Sequence, residues 1–147
     1  MAMLWEVRHC SPAGSQFAHN LYRHKCRLIL CGPPGTDPAI LLSKEGVMQG
    51  YMWGMIFYGI GLMPLAETLR RTDPTVLQPW YADDFALQGP ASRIAELFQL
   101  LCRHSPSVGY FPEPEKCWVI CPQSSKPHAC KVFTDASLPV SYCQGKR

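Results

Sequence analysis

The chain has 147 residues, 47% of them apolar and 17% charged, with 14 Lys and Arg against 11 Asp and Glu for a formal net charge of +3. That length suits one domain with its own core, the apolar share excludes disorder over most of the chain, and the mild charge permits nucleic-acid binding without announcing it. Eight cysteines suggest a disulfide framework only in a small exported protein. Residues 1–9 carry neither an apolar h-region nor a cleavage site, so the expectation is reduced thiols in an intracellular protein, with nucleus and cytoplasm unresolved. The spacing of Cys117, Cys121, His128 and Cys130 fits no zinc pattern, which leaves packed thiols as the reading.

In chain order, Met3, Leu4 and Val7 have helical spacing within residues 1–10, and Ser11-Pro12-Ala13-Gly14-Ser15 reads as a break. Residues 17–22 lead into the basic stretch Arg23-His24-Lys25-Cys26-Arg27 and a strand at 28–31. Residues 31–38, with three prolines and two glycines, form a loop, and no Gly-Lys-Ser/Thr follows to make it a phosphate loop. No charge occurs from residue 46 to 66, close to the ~20 residues of a membrane span. Gln49, Pro64 and glycines at 50, 54, 59 and 61 favour instead a buried helix over 51–65, approached closely by other backbone or a ligand. Residues 66–76 turn after Arg70-Arg71, and 76–87 form two short strands joined at Ala82-Asp83-Asp84. Gly89-Pro90 opens a helix with Ile94, Leu97, Phe98 and Leu101 on one face. Residues 110–116 are extended, 117–121 form a strand, and the rest is loop-rich with weak signals at 131–134 and 140–143. The whole, 1–147, reads as one domain without repeats.

The chemistry centres on Pro79-Trp80-Tyr81-Ala82-Asp83-Asp84-Phe85-Ala86-Leu87, where two adjacent carboxylates interrupt an aromatic and aliphatic run. Neighbouring Asp residues repel and are costly to desolvate without a counter-charge. In an ordinary strand they point to opposite faces, whereas a hairpin turn lets both reach one site. Mg²⁺ takes one or two carboxylates together with substrate phosphates, which suits such a pair. A solvated turn, where Asp is favoured, is the plain alternative.

Tyr81-Ala82-Asp83-Asp84 resembles the Tyr-x-Asp-Asp box of reverse transcriptases. Glu45-Gly46-Val47-Met48-Gln49-Gly50 is similar to their Gly-x-x-Gln-Gly segment, and Gly109-Tyr110-Phe111 through Lys116-Cys117-Trp118 to their glycine-to-lysine motif before a strand. The three stand in the family's order across a core of about 41–121, and the resemblance points to the retrotransposon branch. It implies an α+β fold: a partial polymerase palm with an antiparallel sheet packed against two helices, without complete fingers or thumb. It implies RNA-directed DNA polymerase chemistry, a two-metal nucleotidyl transfer using Mg²⁺ or Mn²⁺, with RNA template, DNA primer and dNTPs as partners and no membrane. Asp83 and Asp84 would be catalytic metal ligands and Lys116 a catalytic group near the phosphates. Tyr81 and Ala82 would bind substrate near the primer end, and Gln49 and Gly50 would shape the nucleotide pocket. For Lys116 a solvated charge beside Glu113 and Glu115 is an equal reading.

Two departures shape the expectation. Tyr51-Met52-Trp53-Gly54 replaces the family's usual Pro after Gln-Gly, and no strand-borne Asp stands upstream of Ser43, where only Glu6 and Asp37 are acidic. The implied account is a chain beginning just after that strand, completed by other polymerase segments in a longer product and inactive alone. Two further classes stand beside it: a non-catalytic nucleic-acid-binding remnant of a retroelement, and a small membrane-associated protein spanning 46–66.

Overall fold

Residues 2–43, 51–81 and 84–144 are described in a computed structural model of the chain. The helices are α1 (Ala2–Cys10), α2 (Pro12–Tyr22), α3 (Gly54–Thr72), α4 (Ala91–His104) and α5 (Lys126–Asp135). The strands are β1 (Cys26–Leu30), β2 (Ala39–Ser43), β3 (Trp80–Tyr81), β4 (Asp84–Phe85), β5 (Trp118–Cys121) and β6 (Ser141–Gln144). The class is mixed α+β, as expected. The expected single antiparallel sheet is corrected: the described strands form three separate pairs, β1–β2 and β3–β4 antiparallel and β5–β6 parallel. The chain divides into two compact units, Met1–Met63 and Pro64–Arg147.

In the first unit, only Ser11 separates α1 from α2. The stretch read as a break is a helix start, because Ser11 is the N-cap and Pro12 fills the first turn, where its missing N–H has no partner to lose. Val7, Ala18 and Phe57 form the buried centre, with Met3, Leu4, Leu21 and Ile60 packed around it. The Phe57 ring meets Tyr22 edge-on at 5.9 Å and lies 6.3 Å from Phe17 and 6.4 Å from Trp53. Among the glycines expected to admit close approach, Gly61 does so: a Cβ there would come within 3.2 Å of Met3 Cβ, whereas one at Gly59 would meet nothing.

Strand β2 was not expected. It pairs with β1 from Cys26↔Ser43 to Leu30↔Ala39 around the Pro/Gly loop, where Gly35 has φ +90°. Leu28, Ile29, Leu30, Ile40, Leu41 and Leu42 are each 49–64% exposed. Since alternate residues point to opposite faces, both faces of this ladder are aliphatic.

Helix α3 runs on past 65 through the residues expected to turn. Glu67 and Arg71 pair at 2.9 Å, and the Thr68 and Thr72 hydroxyls donate to the Pro64 and Thr68 carbonyls at 2.7 and 2.9 Å. It is not buried all round: Phe57, Leu62, Leu65 and Leu69 are covered, whereas Met55, Ile56 and Met63 are exposed. Among the described residues no helix is long and apolar enough to cross a membrane.

In the second unit α4 buries Ala95, Leu97, Phe98 and Leu101 as its spacing predicts, and packs against α5, which was not expected. The Gln99 side-chain amide donates to the Ala136 carbonyl at 2.8 Å, tying α4 to the end of α5. The order β5–α5–β6 is a parallel crossover, in register from Trp118↔Ser141 to Cys121↔Gln144.

Helices α4 and α5 are followed by closures of the same kind. After α4, a 3-10 turn (Ser105–Val108) ends at Gly109, φ +78°; the Tyr110 and Gly109 amides donate to the Ser105 and Pro106 carbonyls, both at 3.1 Å. After α5, Ser137 takes φ +56°, and the Leu138 and Ser137 amides donate to the Phe133 and Thr134 carbonyls, both at 2.9 Å. This paired bonding satisfies terminal carbonyls and requires a left-handed residue, which glycine supplies without a Cβ penalty. Ser137→Gly is therefore expected to raise stability by about 1 kcal/mol, and Gly109→Ala to lower it by a similar amount, both read from urea denaturation midpoints.

Between α3 and the β3–β4 hairpin, Asp73 is only 8% exposed and its Oδ1 accepts from Thr75 Oγ1 at 2.6 Å and Thr75 N at 3.0 Å. These two bonds, aided by Arg93 at 3.8 Å, hold its carboxyl below the ordinary range. The stabilisation is present above the unfolded pKa of about 3.9 and is lost as pH falls through the lower folded value. Asp73→Ala should therefore lower Tm at pH 7, with its deficit relative to the parent vanishing as acid titrates Asp73; a Tm series down to low pH measures this.

Candidate functional site

The acidic hairpin is built as a ladder of constant register. Leu77 and Gln88 exchange amide hydrogen bonds at 3.0 and 2.9 Å, Ala86 N donates to Pro79 O at 3.1 Å, and the strands pair Trp80↔Phe85 and Tyr81↔Asp84. Pro79 is tolerated because only its carbonyl is used. Only Ala82 and Asp83 separate Tyr81 from Asp84, and both lie outside the described residues. The ladder is held by its aromatics: the Trp80 ring lies 4.2 Å from Phe85 and 6.0 Å from Tyr110. At the base a Cβ on Gly89 would approach Val76 Cγ2 to 3.2 Å, so a small residue there lets the hairpin close on Val76.

The Trp80–Tyr110 contact brings the second motif to the hairpin, because Tyr110 opens the stretch leading to Lys116. Gly109 itself is accounted for by the helix closure. Residues 110–116 are not uniformly extended: Pro114–Lys116 form a 3-10 turn, which sets Lys116 Nζ 2.7 Å from Glu113 Oε2. Both partners are well exposed, and such a pair contributes less than about 1 kcal/mol, so it opens readily.

Tyr81 and Asp84 are directly opposed and exposed, and cross-strand partners share a face. The Asp84 side chain makes no ion pair or hydrogen bond with another described residue, which leaves its oxygens open to a hard cation. The described residues contain no group of three or more His, Cys, Asp or Glu arranged to hold a metal. Gln49 and Gly50, like Ala82 and Asp83, lie outside the described residues. Upstream of Ser43, Glu6 sits on α1 and Asp37 in the β1–β2 loop.

Sequence reasoning missed the contact of Trp80 with Tyr110, although both stand in stretches it singled out. It also missed Gln78, whose buried amide nitrogen and oxygen have no partner among the described residues. None of the eight cysteines, all of them described residues, is in a disulfide. Burial pushes the Cys102 and Cys117 thiols up, Cys102 further through the neighbouring Cys117, which suits packing rather than nucleophilic chemistry. Comparison with protein-family models, curated proteins and solved structures found no match.

Proposed function

We propose that the chain is part of the palm of an RNA-directed DNA polymerase of retrotransposon type, acting on RNA template, DNA primer and dNTPs. The observation that carries this reading is the Tyr81↔Asp84 pairing, which sets the first and last residues of the Tyr-Ala-Asp-Asp box opposite each other on an antiparallel ladder. Asp84 is exposed there and remains open to substrate. Asp83 and Asp84 would hold Mg²⁺, or Mn²⁺ in its place, which supplies charge neutralisation for phosphoryl transfer. Tyr81 and Ala82 contact the primer end, Gln49 and Gly50 border the incoming nucleotide, and Lys116 exchanges Glu113 for nucleotide phosphates. Because neither Glu6 nor Asp37 is strand-borne, a third carboxylate comes from another segment of a longer product, and this chain alone extends a primer no faster than background.

The experiment is an Mn²⁺ titration of the chain, read as paramagnetic broadening of its amide resonances, with an RNA–DNA template–primer hybrid added at the end. Broadening centred on Tyr81, Asp84 and Phe85 that disappears in Asp83→Asn is the expected result. A second reading, a non-catalytic nucleic-acid-binding remnant, draws on the Lys116–Glu113 pair, which occupies the ammonium. Hybrid affinity unchanged by Asp83→Asn, with no localised broadening in the parent, decides for the remnant.

A further inference from the structure

In the first unit, α1 and α2 border a cleft of about 400 Å³ lined by Leu4, Arg8, Ser15, Gln16 and His19. Helical spacing creates it. Leu4 and Arg8 are four apart on α1, Ser15 and His19 four apart on α2, and each pair therefore forms one stripe. Val7 and Ala18, buried with Phe57, fix the two helices beside each other. The cleft is lined by a permanent cation and an imidazole but by no carboxylate. Glu6 is the only acidic residue before Arg23, and two positions from Arg8 it is turned about 200° around the helix.

The donors are uncommitted. Arg8 and His19 are exposed, and their side chains make no hydrogen bond or ion pair with another described residue. Gln16 Nε2 donates to Asn20 Oδ1 at 3.2 Å, which engages one of its two amide hydrogens. Ser15 Oγ donates to the Pro12 carbonyl at 2.7 Å, which keeps its oxygen as an acceptor only. A guanidinium fork, a ring N–H and an amide N–H on the walls of one cleft match a tetrahedral oxyanion better than a carbonyl or a cation.

We propose that this cleft binds a phosphate group. Its volume falls in the range of small-ligand sites, about 300–1,000 Å³, so it admits phosphate carried on a nucleoside as well as the free ion. Leu4 then offers apolar contact to the attached moiety. The proposal is independent of the acidic hairpin, whose residues belong to the other unit.

The test is a titration of the full chain with inorganic phosphate, and then with 5′-phosphorylated and 5′-hydroxyl oligothymidylate, followed through the amide resonances. Phosphate is expected to shift Arg8, Ser15, Gln16 and His19 together. Arg8→Gln should weaken binding about tenfold through loss of its charge-assisted bonds, and Arg70→Gln, an exposed cation of the other unit, should not change it. His19→Gln gives a second reading should Arg8→Gln alter the fold. Tighter binding of the 5′-phosphorylated oligonucleotide than of its hydroxyl counterpart supports a nucleic-acid terminus as the source, and equal weakness of both with phosphate still bound supports the free ion. No shift with phosphate, or equal losses in Arg8→Gln and Arg70→Gln, overturns the proposal.

Discussion

Asp84→Asn is expected to weaken Mn²⁺ binding at the acidic hairpin at least tenfold while leaving folding stability within about 0.5 kcal/mol. The reasoning separates the two readouts. Losing a mere outer-shell partner of a metal ligand already costs about 10–100-fold in affinity, so losing a ligating carboxylate costs no less. Folding is indifferent because Asp84 is exposed and engages no described side chain, while its backbone pairing with Tyr81 survives in Asn. Removing one of two adjacent negative charges also relieves repulsion with Asp83, so without metal the variant melts no lower than the parent. Electron paramagnetic resonance of free Mn²⁺ and a thermal melt measure the two quantities. Unchanged Mn²⁺ affinity would remove the hairpin from consideration as a cation site.

The largest stability effect is expected at Leu101. It is fully buried on α4, with Leu97 and Phe98 on the same face. Leu101→Ala should cost about 2–5 kcal/mol through lost transfer energy and the cavity left behind. That is a large part of the ~5–15 kcal/mol by which a domain is stable. The loss extends to the site, because α4 leads into the turn whose closure at Gly109 presents Tyr110 to Trp80. A urea series reads the destabilisation, and the intrinsic fluorescence of Trp80 and the other tryptophans follows the aromatic contact. A cost below 1 kcal/mol would mean that the α4 face repacks.

What the sequence made legible depended on side-chain size and locality. Helix α4 was readable because large aliphatic residues mark every turn of its buried face. The hairpin over 76–87 was readable because turn-forming and β-prone residues alternate within a few positions. Helix α5 was not, since its covered positions are Ala129 and Phe133 among His128, Cys130 and Lys131, and alanine contributes little to a hydrophobic period. Strand β6 depends on pairing with β5 across residues 122–140, a non-local contact that short-range patterning does not carry. Strand β2 follows Pro38 as an unbroken aliphatic run without alternation, so it lacked the period of a half-buried strand. Ser11-Pro12 misled because the same dipeptide serves as a stop and as a start. Of the candidate site, Asp84 was expected in the connection but stands in β4 opposite Tyr81, and Lys116 was expected in extended chain but stands in a 3-10 turn before β5. The partnership of Trp80 with Tyr110 became visible only in three dimensions.

The β1–β2 ladder carries a practical consequence for handling the protein. Among the described strands β2 pairs on one side only, and its Ala-Ile-Leu-Leu-Ser run contains neither charge nor proline to repel an incoming chain. An uncharged, aliphatic open edge is a template for intermolecular strand addition, and its two greasy faces favour stacking of whatever adds. Colloidal behaviour and thermodynamic stability are then set by different parts of the molecule. Concentration limits are governed by five residues of a strand in the first unit, and melting of the hairpin's own unit by the packing of α4 and α5. A well-folded preparation can therefore still associate, and dilution rather than a stabilising substitution is what keeps it dispersed.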